Sequence, residues 1–103
     1  MKDKELLMEA IDNYDLLTSN GRLLLKSLLK IAVDDIAIIS IKELSKLIKI
    51  SRPTIYSSLK VLENNKFIER QVTVGSRLSS FILKPQRFNV IINHYTARKN
   101  ILH

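Results

Sequence analysis

The chain has 103 residues, a hydrophobic share of 46% and a formal net charge of +7, values typical of a small basic globular protein. It contains no cysteine, which excludes disulfides, thiolate chemistry and cysteine-ligated zinc. No apolar run approaches the roughly 20 residues of a membrane span, and the N-terminus lacks the basic start and apolar run of a signal peptide, so we expect a cytoplasmic protein.

The positive charge is confined to one half of the chain. Residues 1–50 carry eight basic and eight acidic side chains and are neutral. Residues 51–103 carry nine basic and two acidic side chains, so they hold the whole excess of +7. A one-sided positive charge is typical of proteins that bind a polyanion, with nucleic acid as the first candidate and an acidic membrane surface as the second. A solvated basic face on a soluble protein is the alternative.

The N-terminal segment predicts an amphipathic helix over residues 5–17, with Leu7, Ile11 and Tyr14 on one side. Residues 1–18 are acidic, because two lysines stand against five carboxylates. Phosphate would repel such a segment, so we expect it to lie away from any bound duplex.

A buried helix and a buried strand are expected next. Residues 22–33 are apolar on most sides, which is typical of a helix in the middle of a domain, and Asp34 with Asp35 should end it. Residues 36–40, IAIIS, are mostly β-branched and too few for a helix, so they predict a buried strand.

Two short helices joined by a tight turn are predicted within residues 40–71. Ser40 and Glu43 match a capping box, in which each side chain satisfies a backbone N–H at the start of a helix. The apolar positions of the first helix and its turn are Leu44, Leu47, Ile48 and Ile50.

The second of these helices has one narrow apolar stripe and a polar face. Ser51 can cap it, and Pro53 falls in its first turn, where no intrahelical donor is lost. The apolar stripe consists of Ile55, Leu59 and Leu62. The outward positions are Arg52, Thr54, Tyr56, Ser57 and Lys60. Such a helix is suited to lying in a DNA major groove.

A β-hairpin and a last helix complete the chain, which we expect to form one domain, residues 1–103, of a mainly α fold with a small β-hairpin (α+β). The first strand is predicted from Phe67, Ile68, Val72 and Val74, the turn from Gly75 and Ser76, and the second strand from Leu78 to Lys84. The last helix, residues 86–102, has an apolar stripe of Phe88, Ile91, Ile92, Tyr95 and Leu102.

Residues 22–84 resemble the winged helix-turn-helix domain of bacterial and archaeal regulators, and the multiple-antibiotic-resistance regulator family is the nearest in pattern. The resemblance is densest in ELSKLIKISRPTIYSSLKVLENNKFIER, residues 43–70. The positions that match the family pattern are Leu44, Ile48, Ile50, Ser51, Thr54, Ile55, Leu59, Leu62, Glu63, Ile68 and Arg70. This implies a winged-helix core with an extra N-terminal helix in residues 1–18 and an extra C-terminal helix in residues 86–103.

Three positions depart from the family pattern. Lys49 stands where the turn commonly has glycine, so we expect a slightly different turn. The glycine that usually ends the second helix is replaced within residues 64–66, where an asparagine is expected to form the left-handed cap. Ser45 replaces a small alanine and still permits close packing.

The resemblance also implies where DNA would bind. The candidates for contacts to bases and phosphates lie on the second helix: Ser51, Thr54, Tyr56, Ser57 and Lys60. Arg77, beside the hairpin turn, is the candidate for a minor groove. The candidates for phosphate anchoring are Arg52, Lys49, Lys46 and Lys84. An ordinary polar helix surface and a solvated loop charge are the alternatives for these residues.

Catalysis and metal binding are not expected. His94 and His103 have too few carboxylates near them in sequence for a metal site. The sequence shows no nucleophile–base pairing, no glycine-rich phosphate loop and no paired carboxylates in a plausible cleft. We therefore expect no enzyme, no cofactor and no small-molecule ligand.

The pattern favours a protein that binds double-stranded DNA sequence-specifically. We expect a small transcriptional repressor that is associated with the nucleoid and does not contact a membrane. The apolar stripes of the two terminal helices predict a homodimer, because Leu6, Leu17 and Leu102 would otherwise stay exposed. The alternative is that the two helices cover each other within one monomer. Two alternatives are a plasmid or phage replication initiator or accessory factor, and a winged helix that serves only as a protein–protein adaptor. The charge of +7 argues against the adaptor.

Overall fold

Five helices and one three-stranded antiparallel sheet form the part of the chain that the computed structural model describes, residues 4–101. In chain order they are α1 (Lys4–Asp12), α2 (Ser19–Ile31), β1 (Ile36–Ser40), α3 (Ile41–Ile48), α4 (Arg52–Asn64), β2 (Ile68–Val72), β3 (Leu78–Leu83) and α5 (Pro85–Ile101). The α+β class and the order of the elements are those predicted from the sequence. Leu102 and His103 lie outside the described residues, as do residues 1–3.

The sheet has the strand order β1-β3-β2, so β1 pairs with β3 on the side opposite to β2. Phe81 of β3 pairs with Ala37 of β1, and both are buried on the face that packs on the helices. Alternate side chains of a strand point to opposite faces, so Ile36 and Ile38 lie on the open face and are exposed. The prediction that residues 36–40 form a wholly buried strand is therefore wrong.

The core joins α4 to α2 and to the start of the hairpin. The buried apolar side chains of α4 are the predicted ones: Ile55, Leu59 and Leu62. Phe67, just after α4, stacks on Phe88 of α5 with 6.1 Å between ring centroids, and it meets the Tyr14 ring edge-on at 6.3 Å. This cluster fixes the point from which β2 leaves α4.

The first helix ends at Asp12 rather than at the predicted residue 17. The chain beyond it is held by Arg22 of α2, whose Nη1 donates to the carbonyl oxygens of Tyr14 at 3.2 Å and Leu17 at 2.6 Å. Those carbonyls are satisfied from another helix, so they do not need helical partners. Since this contact comes from α2, the local apolar pattern could not reveal the earlier end.

The terminal helices α1 and α5 pack on each other within one chain. The apolar side chains buried at this contact and in the adjoining core include Leu7, Ile11, Phe88 and Ile91. Leu17 is only 3% exposed, so the prediction that it needs a second copy to cover it is wrong. Leu6 is exposed, as expected.

Ion pairs join the acidic N-terminal segment to the helices beside it. Lys26 Nζ of α2 lies 2.7 Å from Asp12 Oδ1, and Arg98 Nη1 of α5 lies 3.3 Å from Asp15 Oδ2. These are surface pairs and add little stability individually. Their importance is in the charge distribution, because they hold the carboxylates of this segment next to cations of α2 and α5.

An acidic side chain of α1 also affects the pKa of Tyr95 in α5. A hydrogen bond with the Glu9 carboxylate, together with desolvation, raises the pKa of the Tyr95 phenol above its ordinary value, while Lys99 acts in the opposite direction.

A lysine with a left-handed backbone follows each of the helices α3 and α4: Lys49 with φ 56° after α3, and Lys66 with φ 65° after α4. At the second, the Phe67 N–H donates to the Leu62 carbonyl and the Lys66 N–H to the Glu63 carbonyl, both at 3.0 Å, as in a Schellman motif. The prediction of a left-handed asparagine is wrong, because the motif places that conformation one residue after the C-cap. Lys49 itself adopts the left-handed conformation that glycine favours, so the different turn predicted at this position does not occur.

A two-residue turn, and not the end of a helix, explains Asp34 and Asp35. Helix α2 already ends at Ile31. Val33 and Ile36 then exchange two backbone hydrogen bonds of 2.9 and 3.0 Å around the aspartates, whose φ angles are 51° and 65°. Positive φ at both central residues is the type I′ geometry, which aspartate tolerates.

Glycine at the two left-handed positions should stabilise the fold. Lys49→Gly and Lys66→Gly are each expected to raise the free energy of unfolding by about 0.5–1 kcal/mol, since relief of the left-handed side chain outweighs the added freedom of the unfolded chain. Urea denaturation measures this. Lys46→Gly, within α3, is the matched control and should lower the free energy of unfolding by about 1 kcal/mol. A similar loss in all three variants would contradict the conformational argument.

Candidate nucleic-acid interface

Serine side chains hold the start of α3 and the turn that follows it. Ser40 Oγ accepts a hydrogen bond from the Glu43 N–H at 3.0 Å, which is the serine half of the predicted capping box. Ser45 Oγ donates to the carbonyl oxygen of Ile50 across the turn. Ser45, expected only to permit close packing, therefore also restrains the turn between α3 and α4.

Leu47 lies on the outer side of α3. Leu44 is buried and Ile48 is half-buried, as predicted, but Leu47 is 57% exposed. It lies about 100° around the helix from Ile48 and so leaves the side that faces the core. The prediction that Leu47 is a core residue is wrong. With Leu23 and Ile31 it lines an apolar groove of about 460 Å³ between α2 and α3.

Hydroxyl groups at the start of α4 are satisfied within the helix. Ser51 has the extended backbone of an N-cap, but its hydroxyl lies 2.9 Å from Thr54 Oγ1 and makes no capping bond to a backbone N–H. Ser51 thus occupies the predicted N-cap position, but its side chain does not cap the helix because the Thr54 hydroxyl competes for it. One turn later, Ser57 Oγ donates to the Pro53 carbonyl at 2.8 Å.

The side of α4 that faces away from the core is polar and basic, as predicted. Its exposed candidates are Ser51, Arg52, Tyr56, Ser57 and Lys60, while Thr54 is half-buried. Because the apolar stripe is narrow, the outer face of this helix is accessible along its whole length.

The hairpin of β2 and β3 forms a short wing beside α4. Its turn is closed by the Ser76 N–H, which donates to the Thr73 carbonyl at 3.0 Å, and Gly75 has a φ of 83°. That positive φ, at the third position of the turn, is one that glycine adopts without strain. Val74, predicted in the strand, lies instead at the tip of the wing and is fully exposed. Arg77 is exposed next to the turn, as predicted.

An open groove of about 640 Å³ lies between the start of α3, the outer face of α4 and the wing, and we call it the α4–wing groove. Four cationic residues line it: Lys42, Arg52, Arg70 and Arg77. Glu43 is the single carboxylate among its lining residues, and Tyr56 forms part of its wall. The groove thus joins three sequence candidates, Arg52, Tyr56 and Arg77, with two cations that sequence reasoning missed.

Arg70 is the more informative of the two missed cations. Its guanidinium donates to Ser79 Oγ, from Nη2 at 3.1 Å and from Nε at 3.3 Å, and its Cζ lies 5.4 Å from the centroid of the Tyr56 ring. The sequence does contain a signal for this position. Arg70 lies two residues after Ile68 on the same strand, so both side chains point to the face that packs on the helices. A charged residue at such a position needs partners, and Tyr56 and Ser79 provide them.

The remaining basic candidates lie on different surfaces. Lys46 is exposed on α3, and Lys49 borders the apolar groove between α2 and α3. Lys84 is half-buried and lines a separate cleft that also contains Glu63 and Glu69. Lys84 is therefore not brought together with Arg52 and Tyr56, because it follows the far end of β3 from the wing turn.

Two further features concern other kinds of site. Within residues 4–101, no three histidine, cysteine, aspartate or glutamate side chains are grouped so as to hold a metal ion. Over the same residues, no helix has the length and apolar character needed to cross a membrane.

Solved structures of three proteins are similar to this chain. The YusO protein from Bacillus subtilis has a TM-score of 0.61 and 17% identity, covering 98% of this chain and 68% of its own. A protein described as a transcriptional regulator has a TM-score of 0.60 and 25% identity, covering 96% and 66%. A possible transcriptional regulator from Methanosarcina mazei has a TM-score of 0.55 and 18% identity, covering 97% and 84%.

The chain thus spans about two thirds of the length of the first two structures. No protein-family model matches the sequence, and no curated protein matches it at a significant level. The similarity covers nearly the whole chain, and it confirms the predicted α+β winged-helix fold.

Proposed function

We propose that this protein is a transcriptional regulator that binds double-stranded DNA through α4 and the wing. The observation that carries the proposal is the α4–wing groove, where four cations and one carboxylate lie beside an accessible helix. A helix with a polar outer face can enter a major groove while the adjacent hairpin reaches the flanking backbone or minor groove. The similarity to structures of transcriptional regulators supports the same assignment.

The distribution of ion pairs also supports this proposal. Among the described residues, every ion pair involves Asp12 or Asp15 of the acidic N-terminal segment, with partners on α2 and α5. Lys42, Arg52 and Arg77 have no carboxylate within ion-pair distance in that part of the chain. Their charge is therefore available to phosphate, and release of counterions would drive binding.

The contacts made by the side chains suggest a division of tasks. Tyr56 and Lys60 are the favoured readers of base edges, because both are exposed on the outer face of α4. Ser57 is a weaker candidate, since its hydroxyl proton is directed at the Pro53 carbonyl. Arg77 is assigned to a minor groove and Arg52 to phosphate. The other residues proposed for phosphate or flanking contacts are Lys46, Lys49, Ser51 and Thr54.

Repression by a homodimer is the finer proposal. Two copies would double the contacts and match a palindromic operator. The apolar stripes of α1 and α5 cover each other within one chain, so a dimer needs other side chains. Exposed apolar residues on or next to the terminal helices are Leu6, Leu16 and Val90, and we assign the dimer contact to them.

The first prediction concerns the salt dependence of DNA binding. If about five phosphates are neutralised, log affinity should fall against log salt with a slope of about −4 to −5. Fluorescence anisotropy with a labelled random-sequence duplex measures the slope. Arg52→Gln should reduce it by about one, because Arg52 is assigned to phosphate. Lys84→Gln, in the separate cleft, is the control and should leave it unchanged. A flat salt response, or no binding at low salt, would refute the proposed function.

Base reading by α4 is tested by a set of conservative variants. Lys60→Ala and Tyr56→Phe should each lower discrimination between selected and random duplexes by about 1–3 kcal/mol, the usual contribution of a base-edge contact. Tyr56→Phe removes only the hydroxyl and keeps the ring that Arg70 covers. Ser57→Ala is the matched control and should change discrimination by less than about 0.5 kcal/mol. If Lys60→Ala and Tyr56→Phe behave like Ser57→Ala, another surface reads the bases.

The dimer is tested by analytical ultracentrifugation at micromolar concentration. We expect a species of twice the 11.9 kDa chain mass. Leu16→Asp and Val90→Asp should shift it to the monomer, because a carboxylate would be buried in the contact. Val33→Asp replaces a residue as exposed as Leu16, in the segment between α2 and β1, and should leave the dimer intact. A single species near 11.9 kDa, with and without DNA, would exclude the homodimer.

A further inference from the structure

Arg70 lies at the joint between the candidate recognition helix and the wing. It belongs to β2, its guanidinium donates to Ser79 Oγ of β3 at 3.1 and 3.3 Å, and its Cζ lies 5.4 Å from the Tyr56 ring of α4. The Phe81 ring of β3 lies 6.0 Å from the same carbon. One side chain therefore contacts both strands of the wing and the outer face of α4.

The guanidinium is held without a carboxylate partner among the described residues. Arg70 is half-buried, and two aromatic rings and one hydroxyl are its recorded partners. A planar, delocalised cation with several donors suits such a site, because it can lie against rings while donating at its edge. A lysine ammonium has the same charge but neither the plane nor the paired donors.

The contact with Arg70 restrains the ring of Tyr56. Tyr56 is exposed on α4, so without Arg70 its ring would be free to change rotamer on the surface. The wing would also lose its contact with Tyr56, because Arg70 lies on β2 and its partners Ser79 and Phe81 lie on the neighbouring strand β3. The chain itself connects α4 to the wing through the short segment around Phe67, at the other end of β2 from the wing turn.

We propose that Arg70 is a positioning residue that sets the orientation of Tyr56 and the angle between α4 and the wing. This inference rests on the proposed function, because it concerns how the DNA-reading surface is assembled. Arg70 acts through Tyr56 and the wing, so sequence discrimination depends on it more than overall affinity does. The competing role is that of one more phosphate-binding cation in the α4–wing groove.

A pair of arginine-to-lysine variants separates the two roles. Arg70→Lys keeps the charge and removes the plane and the paired donors, whereas Arg98→Lys makes the same change at an exposed position of α5 outside the α4–wing groove. The probes are a duplex selected by the unmodified protein from a random pool and a random-sequence duplex. Arg70→Lys should lower discrimination about tenfold or more, with an unchanged salt slope, because its charge is retained. Arg98→Lys should change discrimination less than about threefold, because Arg98 lies outside the proposed DNA-binding surface.

A second measurement needs no DNA. Arg70→Lys and Tyr56→Leu are combined in a double-mutant cycle on the unfolding equilibrium constant, which should show coupling of about two- to fivefold. The Arg70 Nε–H resonance of the free protein should also shift in Tyr56→Leu, as the ring current is lost. Circular dichroism of each variant verifies that the fold is retained.

The outcomes are distinguishable. Discrimination of Arg70→Lys as little changed as that of Arg98→Lys would reduce Arg70 to a phosphate-binding cation and overturn the proposal. Additive effects in the double-mutant cycle, with no shift of the Nε–H resonance, would overturn it as well, even in a protein that binds DNA normally. Failure of the unmodified protein to bind any duplex would refute the proposed function, while the cycle would still decide whether Arg70 and Tyr56 are coupled.

Discussion

Burial of one narrow stripe of α4 is the constraint on which the rest of the structure depends. Ile55, Leu59 and Leu62 are almost completely buried against the core, and each contributes about 1.5–3 kcal/mol by leaving water. Since the stripe occupies only one side of the helix, the opposite side is free to carry Arg52, Tyr56 and Lys60 without a cost in stability. The left-handed turn at Lys66 then sends the chain into the core at Phe67 and starts the wing directly beside that free side.

The separation of charge follows from the same arrangement. Carboxylates of the N-terminal segment lie beside cations of α2 and α5, where Lys26 and Arg98 pair with Asp12 and Asp15. The cations of the α4–wing groove face a single carboxylate, that of Glu43. The individual surface pairs contribute little to stability. Their effect is to keep negative charge away from the surface that we propose for DNA, so that the potential there is set by Lys42, Arg52, Arg70 and Arg77.

Local patterns predicted the parts of the fold that depend on neighbours in sequence. Helix periodicity and capping residues identified α3, α4 and their order with the hairpin, and the stripe of α4 is buried as expected. Two of the failures have long-range causes. Arg22 of α2 holds carbonyl groups of the segment after α1, and Leu17 in that segment is buried within the same chain.

The candidate site could be predicted only in part for a related reason. Arg52, Tyr56 and Arg77 lie together because the outer face of a helix and the turn of a hairpin can be recognised from residue type and spacing. Arg70 could not be assigned in this way, because its role arises from pairing of β2 with β3 and from the approach of Tyr56 on α4. Lys84 fails as a groove residue because the register of the hairpin carries it to the opposite end of β3.

The most direct test of the central claim is an NMR titration of the isotope-labelled protein with a short duplex, which maps the amide resonances that change. The account requires the largest changes in residues 51–61 of α4 and residues 73–78 of the wing, with smaller ones in α3. Amides of α1 and the middle of α5 should change least, because their surface is acidic or covered. Changes concentrated in α1 and α5, with α4 and the wing unaffected, would contradict the account.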